Sequence, residues 1–416
     1  MTTSSGPFEG SKRFLDGAHR GRAPEETLRR VLPLMHRCGI TRVANLTGLD
    51  RVGIPVIAAY RPDARSIAVS QGKGQTLAAA RASAVMEAIE VWHAERCDVP
   101  LRRASAAELS ASAAPVCDLS RLPRANTGSD GRDDRSTRRL WVEGNDLIDG
   151  SSRWCPLEVV DADYTRHAPG NGSPFLRSTN GLASGNGWSE AVSHALCELI
   201  ERDAVSVWRA RARRTGIPDG RVDLGSVDDP ACRSLLSRYA AAGIDVGVWS
   251  VSGDVGVPTF FALIVDEATS GALEMARPAN GKGCHPSKAV ALSRALTEAA
   301  QSRLTYISGA RDDLDEGDYD TALQRDNVRR CRALIDDAPP VPPIDYRTLS
   351  ECSGPSFPDD VAHLLGALRA VGIEQAVAID LAADTPEVAV VRVIVPGLEG
   401  PDEHPAWVPG ERALSA

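Results

Sequence analysis

Three widely separated stretches repeat one plan: SAVMEAIE (83–90), SHALCELIE (193–201) and SRALTEAAQ (293–301). In each, a glutamate is followed three residues later by Glu or Gln, and residues three apart share a helix face. Each is led by a glycine-bearing approach: SQGKGQ (70–75), NGLASGNG (180–187) and NGKGCH (280–285). The middle helix shows the pattern best. At roughly 100° per residue, Glu190, Glu198 and Glu201 fall within an arc of about 80° with His194 among them, opposite Val192, Leu196, Leu199 and Ile200. On one helix alone, such acids are a solvated face. Three helices with the same lead-in point instead to a shared site.

Carboxylates that gather without basic partners suit a divalent cation, and Mg²⁺ takes a few carboxylates together with phosphate oxygens and water. The glycines are expected to let backbone N–H groups approach an anion at each helix N-terminus. Arg202, Arg303 and Lys73 lie beside the acids or in the glycine turn and are expected to face phosphates. Glu87 with Glu90, Glu198 with Glu201, and Glu298 with Gln301 are the paired oxygen-bearing side chains. The site is not a P-loop, because neither GKG has the required glycine spacing or a following Ser/Thr.

The surroundings of these motifs indicate the fold class. A helix is predicted over 23–40, two strands with a Pro-Asp turn over 52–72, a helix over 75–97 and a strand over 140–147. IDVGVWSVS and PTFFALIVDE form an antiparallel pair, a third acidic helix covers 287–309, and a last helix and strand follow 358. Strands and helices mix without regular βα alternation, which predicts an α+β layered architecture. Residues 104–138 are expected as a turn-rich surface insertion that can be trimmed from 125 to 138, 312–343 as a linker or surface excursion, and the end as an extended tail. The expected organisation is an N-terminal segment (1–60), a core that carries the three acidic helices (61–315) and a C-terminal part (316–416).

A net charge of -9 argues against adhesion to nucleic acid or anionic membrane. No apolar run approaches the roughly 20 residues that span a bilayer, and no signal peptide opens the chain, so a cytoplasmic protein is expected. The cysteines include no C-x-x-C pair, so no zinc site or disulfide framework is expected, and no Cys/His signature makes Cys197 or Cys284 a nucleophile.

The three acidic blocks in this order, SQGKGQTLAAARASAVMEAIEVWHAE, STNGLASGNGWSEAVSHALCELIERDA and GKGCHPSKAVALSRALTEAAQSRLTYISGARDD, resemble the YcaO family of ATP-dependent enzymes that modify peptide backbones. The N-terminal GAHRGRAPEETLRRVLPLMHRCGITRVANLTGLDRVGIPV and the later VVRVIVPGLEG look like the branch associated with TfuA partner proteins. The resemblance implies mixed and antiparallel sheets flanked by helices around a non-P-loop ATP site. It implies ATP and Mg²⁺ as cofactors, with Glu87, Glu90, Glu198 and Glu201 as metal ligands. By the same resemblance Arg20, Lys73, Ala183, Asn186, Glu190, Arg202 and Arg303 bind the nucleotide, and Arg202, Arg303 and Gln301 act in catalysis.

Family chemistry implies nucleophilic attack on a backbone amide, phosphorylation of its oxygen and departure of phosphate. Azoline-forming members commonly end in a Pro-x-Pro-x-Pro tail; here Pro405 and Pro409 are too far apart to match. The TfuA-like branch implies a thioamide instead, made with an external sulfur donor on a ribosomally synthesised peptide or protein, with a TfuA-like partner and a homodimer. Azoline formation is the competing reading, and a noncatalytic peptide-binding module is the third.

Overall fold

The structure is a computed structural model that describes residues 10–15, 17–126, 135–165, 173–266, 277–314, 316–337 and 341–416. Each glycine-bearing approach forms a strand that leads directly into its acidic helix. The first pair is Val69–Lys73 and Leu77–Arg96, the second Leu182–Gly185 and Trp188–Thr215, and the third Ala279–Cys284 and Lys288–Ser308. Thr76 caps the first helix by accepting from the Ala79 N–H, and Gly216 and Gly309 end the other two in the left-handed region.

The glycines serve a different purpose from the expected one. Gly72 faces the helix backbone so closely that a Cβ there would lie 2.0 Å from the Ala84 nitrogen. Gly281 and Gly283 repeat this in the third pair, with a Cβ 2.2 Å from the Ala295 oxygen and 2.1 Å from the Ala291 oxygen respectively. These glycines let strand and helix backbones meet, and the facing helix positions are alanines for the same reason.

The first and third pairs sit on meanders of the same design. Arg42–Asn45, Val56–Tyr60 and Val69–Lys73 pair in order, all antiparallel. Ile244–Ser250, Thr259–Asp266 and Ala279–Cys284 do likewise. The second strand is the edge of a larger antiparallel sheet, ordered Leu101–Ala104, Arg139–Asp146, Val377–Asp380, Ala389–Ile394 and Leu182–Gly185, with Ser152–Pro156 added beside Arg139–Asp146. Three sheets, each covered by an acidic helix, realise the expected α+β class. Apolar side chains such as Ile89 with Ile57, Leu296 with Phe260, and Leu196 with Val391 fill the three interfaces.

Three expectations about the connections are corrected. Residues 104–126 are not a surface insertion: a capped helix, Ala106–Ala111, puts Leu109 in the core, where Cys117, Leu119 and Leu122 join it. The Arg124–Ala125 strand pairs with Trp407–Val408, so trimming from 125 would remove structure; residues 127–134 lie outside the described part. The 312–343 stretch contains a helix, Thr321–Asp336, whose Val328, Cys331 and Ile335 pack against Trp249 and Phe261. The end is docked, with Arg412 bonding Asp203 at 2.8 and 2.9 Å and Asp254 at 2.6 and 3.1 Å. Local composition gave no sign of these long-range partners.

The close strand–helix contact predicts that Gly281→Ala costs about 2–3 kcal/mol through overpacking and lowers the melting temperature clearly. Gly366→Ala, in open space on the helix Phe357–Ala370, should instead be neutral or stabilising by up to about 1 kcal/mol. Equal melting temperatures for the two variants would contradict the contact.

Candidate active site

The three acidic faces turn into one cavity of about 1340 Å³. Glu87, Glu90, Glu190, His194, Glu198, Glu201, Glu298 and Gln301 all line it, as do Arg20, Lys73, Asn186 and Arg202. Strand backbones and turns orient the acids. Glu198 accepts from the Gly181 N–H at 3.3 Å, Glu201 from the Cys284 N–H at 3.1 Å, and Glu298 from the Lys282 N–H at 3.3 Å. Glu90 accepts from the Ser184 hydroxyl at 2.9 Å. The strands that glycine presses against the helices are therefore also the donors that aim these carboxylates.

Glu190 is held from the N-terminal segment. It accepts from the Gly21 N–H at 3.1 Å, from the Asn186 N–H and Nδ2 at 3.3 Å, and from Arg20 Nη1 at 3.3 Å. Asn186 Oδ1 in turn accepts from the Thr27 hydroxyl at 2.9 Å. Lys73 lines the cavity but shares its charge with Glu298 at 2.5 Å, and Gln301 Nε2 donates to the Gln71 carbonyl at 2.6 Å.

Charge is unevenly matched across the site. Among the described residues, no Lys or Arg lies within ion-pair distance of Glu87, Glu90 or Glu198. Burial pushes the Glu87 carboxyl up to about 7 despite Lys73 and Arg311. Burial, then Glu198 and Glu87, push Glu90 well above the usual range. Burial and Glu298 raise Glu201. Burial works against ionisation of Glu298 as well, but Lys73 and Arg202 outweigh it and hold that carboxyl low. Burial likewise opposes the Arg202 charge, and Glu198, Glu201 and Glu298 more than restore it. His194 is held neutral by burial and by Arg294 and Arg20, and its Nδ1 has no partner among the described residues.

Two expected residues lie elsewhere. Arg303 does not line the cavity: it is 8% exposed and bonds Asp50 at 2.7 Å and Asp266 at 3.0 Å, bracing the first meander against the third sheet. Its position five residues after Glu298 turns it off the acidic face. Ala183 is fully buried in the core, while its strand neighbours Leu182 and Ser184 reach the cavity, as alternation requires. In their place come Arg294 and Arg311. Arg294 stands four residues before Glu298, on the same helix face, a spacing that marks it in the sequence. Glu403 and His404 enter from the docked end, with Glu403 2.5 Å from Lys282 and 2.8 Å from Arg209, and nothing local marks them. Cys197 and Cys284 are buried and the Cys284 thiol is pushed up by burial, so neither is a ready nucleophile.

Residues 71–399 match the family described as YcaO cyclodehydratase, ATP- and Mg²⁺-binding. The chain belongs to the YcaO family. An uncharacterised protein from the tfuA 3′ region of Rhizobium leguminosarum bv. trifolii is 34% identical over 96% of this chain and 93% of its own length. An uncharacterised protein of Methanothermobacter thermautotrophicus is 36% identical over 90% of this chain and 94% of its own. The first of these supports the TfuA-associated branch for this YcaO protein. Among solved structures, the YcaO from Methanopyrus kandleri bound with AMPPCP and Mg²⁺ shares the fold with a TM-score of 0.70 at 22% identity, over 97% of this chain and 99% of that one. A heterocyclase in complex with substrate and cofactor gives 0.77 at 23% identity over 94% of this chain, which spans only 53% of that longer protein.

The residues present fit the family's cofactors. Three half-buried carboxylates, Glu87, Glu90 and Glu198, lacking a Lys or Arg within ion-pair distance among the described residues, make a hard oxygen donor set of the kind Mg²⁺ prefers. The buried Nε atoms of Arg202 and Arg294 have no hydrogen-bond partner among the described residues and lie on residues that line the same cavity, suited to phosphate oxygens. No helix among the described residues is long and apolar enough to cross a membrane.

A pH dependence follows for chelator-treated protein. Because Glu87 rises from 4.5 to about 7 on folding, the folded chain binds more protons than the unfolded one across that window, and stability falls as pH rises through it. Glu87→Gln removes this penalty, so its stability advantage should be absent at pH 4, grow by up to about 1.4 kcal/mol per pH unit and level off above pH 7. Denaturant titrations at several pH values measure it; a constant difference would be inconsistent with a buried, poorly compensated Glu87.

Proposed function

We propose that the chain activates a peptide-backbone amide with Mg·ATP and installs a thioamide. The observation that carries the ATP-dependent part is the convergence of Glu87, Glu90, Glu198 and Glu201 from two helices on one cavity, three of them without a basic partner within ion-pair distance among the described residues. These four hold the cations. Arg20, Asn186 and Glu190 hold the nucleotide at the N-terminal side, and Lys73, paired with Glu298, adds positive charge to the same wall. Arg202, Arg294 and Arg311 face the charge that develops on the transferring group, and Gln301 orients groups within the same wall.

Bound Mg·ATP supplies the phosphoryl group that turns the amide oxygen into a leaving group: sulfur bonds to the carbonyl carbon, the C–O bond breaks, and ADP and phosphate are released. The residues keep the amide away from bulk water and fix its approach, which matters because an amide oxygen leaves poorly by itself. The 34% identity to a protein of a tfuA region favours sulfide as nucleophile, with a TfuA-like protein as partner in sulfur delivery. The substrate is a ribosomally made peptide or protein, the class seen with the E. coli microcin synthetase McbBCD bound to pro-MccB17, whose fold this chain shares at a TM-score of 0.61. Action in the cytoplasm and as a homodimer belongs to the same proposal.

Azoline formation is the second reading, favoured by the family's description as cyclodehydratases. Product mass separates the two: a thioamide adds about 16 Da and cyclisation removes about 18 Da, from the same activated oxygen. Purified protein with peptide, sulfide, partner and Mg·ATP should give the heavier product and release ADP. Glu198→Gln and Glu201→Gln should each reduce ATP turnover by about 100-fold or more, since a metal ligand loses its charge, with little change in melting temperature. Wild-type turnover in both would refute the metal assignment. Arg303→Met, by contrast, should cost about 3 kcal/mol of stability, chiefly by leaving Asp50 without its ion-pair partner, since Asp266 keeps Arg51.

A further inference from the structure

Arg392 lies on the strand Ala389–Ile394, opposite Leu182 of the second glycine-bearing strand. It is 3% exposed, outside the cavity wall, and makes no ion pair among the described residues. Its guanidinium donates from Nε to the Val159 carbonyl at 3.0 Å and from Nη2 to the Ser178 carbonyl at 2.6 Å, leaving Nη1 without a partner. A buried cation with no carboxylate beside it is costly, and an apolar side chain of similar length would pack there at less cost. Packing is therefore not the reason for an arginine at this position.

Its bonds point to what it does. The Val159 and Ser178 carbonyls bracket a segment that contributes Tyr164 and Arg177 to the cavity. Three residues past Ser178, Gly181 adopts a φ of +82° and its carbonyl accepts from the Val393 N–H at 2.8 Å, one residue along from Arg392. The Gly181 N–H is the donor that orients Glu198. A Cβ on Gly181 would lie 2.3 Å from the Val393 carbonyl oxygen, so the turn has no freedom to shift toward the strand. Glu198 is also among the groups whose charge acts on Arg392.

We propose that Arg392 is a positioning residue for the cation-binding acids: by holding the Ser178 carbonyl that opens the 178–181 turn, while the neighbouring Val393 N–H holds the Gly181 carbonyl that closes it, it sets the Gly181 N–H that aims the Glu198 carboxylate. This rests on the reading that Glu198 holds a cation. Partners of this kind typically change metal affinity by about 10- to 100-fold when removed. The sign is informative, because losing a nearby positive charge would by itself tighten Mg²⁺ binding, whereas losing the orientation weakens it.

The test is calorimetric titration of Mg²⁺ into the full chain saturated with a nonhydrolysable ATP analogue, with melting temperatures recorded in parallel. Arg392→Met should weaken Mg²⁺ by about tenfold or more, and Arg392→Lys, which keeps the charge but not the two-carbonyl fork, by less. Gly181→Ala disturbs the same turn with Arg392 intact and should act in the same direction. Added to Glu198→Gln, Arg392→Met should produce no further loss. If Arg392→Met does not fold, Arg392→Lys and Gly181→Ala carry the comparison. Unchanged or tighter Mg²⁺ binding in the Arg392 variants, with Glu198→Gln clearly weakened, overturns the positioning role; a lowered melting temperature alone would make Arg392 a structural residue only. Wild-type Mg²⁺ binding in Glu198→Gln would instead defeat the reading of Glu198 itself, and this inference with it.

Discussion

Placing several carboxylates together in a protein interior is opposed twice, by the loss of hydration and by mutual repulsion. Glu87, Glu90 and Glu201 all show this in carboxyls pushed upward. The arrangement persists because four of the acids have a fixed donor: Ser184 for Glu90, the Gly181 N–H for Glu198, the Cys284 N–H for Glu201 and the Lys282 N–H for Glu298. Those donors keep the oxygens from collapsing onto stray cations or swinging into solvent. The cavity is thus preorganised for a charge that the protein does not itself contain.

Such donors are within reach only because strand and helix nearly touch. Gly72, Gly281 and Gly283 remove the side chains that would separate them, and alanines on the facing helices complete the contact. Apolar residues on the far sides of the same helices, such as Ile89, Leu196 and Leu296, fill three cores and hold the assembly from behind. Packing and electrostatics are therefore coupled: the residues that allow the closest backbone approach also determine where the acids point.

The acidic helices, their order and the residues on their faces were legible in the sequence, because period, caps and spacing are local properties. So was the α+β class. Arg303 stands close to Glu298 in sequence, but its angle on the helix sends it to Asp50 and Asp266 and away from the acidic face. Ala183 sits between two cavity-lining residues, but a strand shows alternate residues to opposite sides, which sends it into the core. Glu403, His404 and the docking of Arg412 were invisible, since they depend on a segment folding back over 209 residues onto Asp203 and 121 residues onto Lys282. The role of the glycines was only half legible: their need was clear, their direction was not, and a turn toward an anion and a turn toward a helix share one composition.

The bare contact between strand and helix also has a mechanical meaning. A helix resting on glycine cannot creep freely along its strand, because the next residues on the same strand face, Ser70 before Gly72 and Ala279 before Gly281, carry side chains that would wedge against the alanine face. The acidic helices are locked in register like teeth in a rack. Any breathing needed to admit a nucleotide or release a product is thereby left to the rim, to the segments around Arg20, Arg177 and His404, while the floor stays rigid.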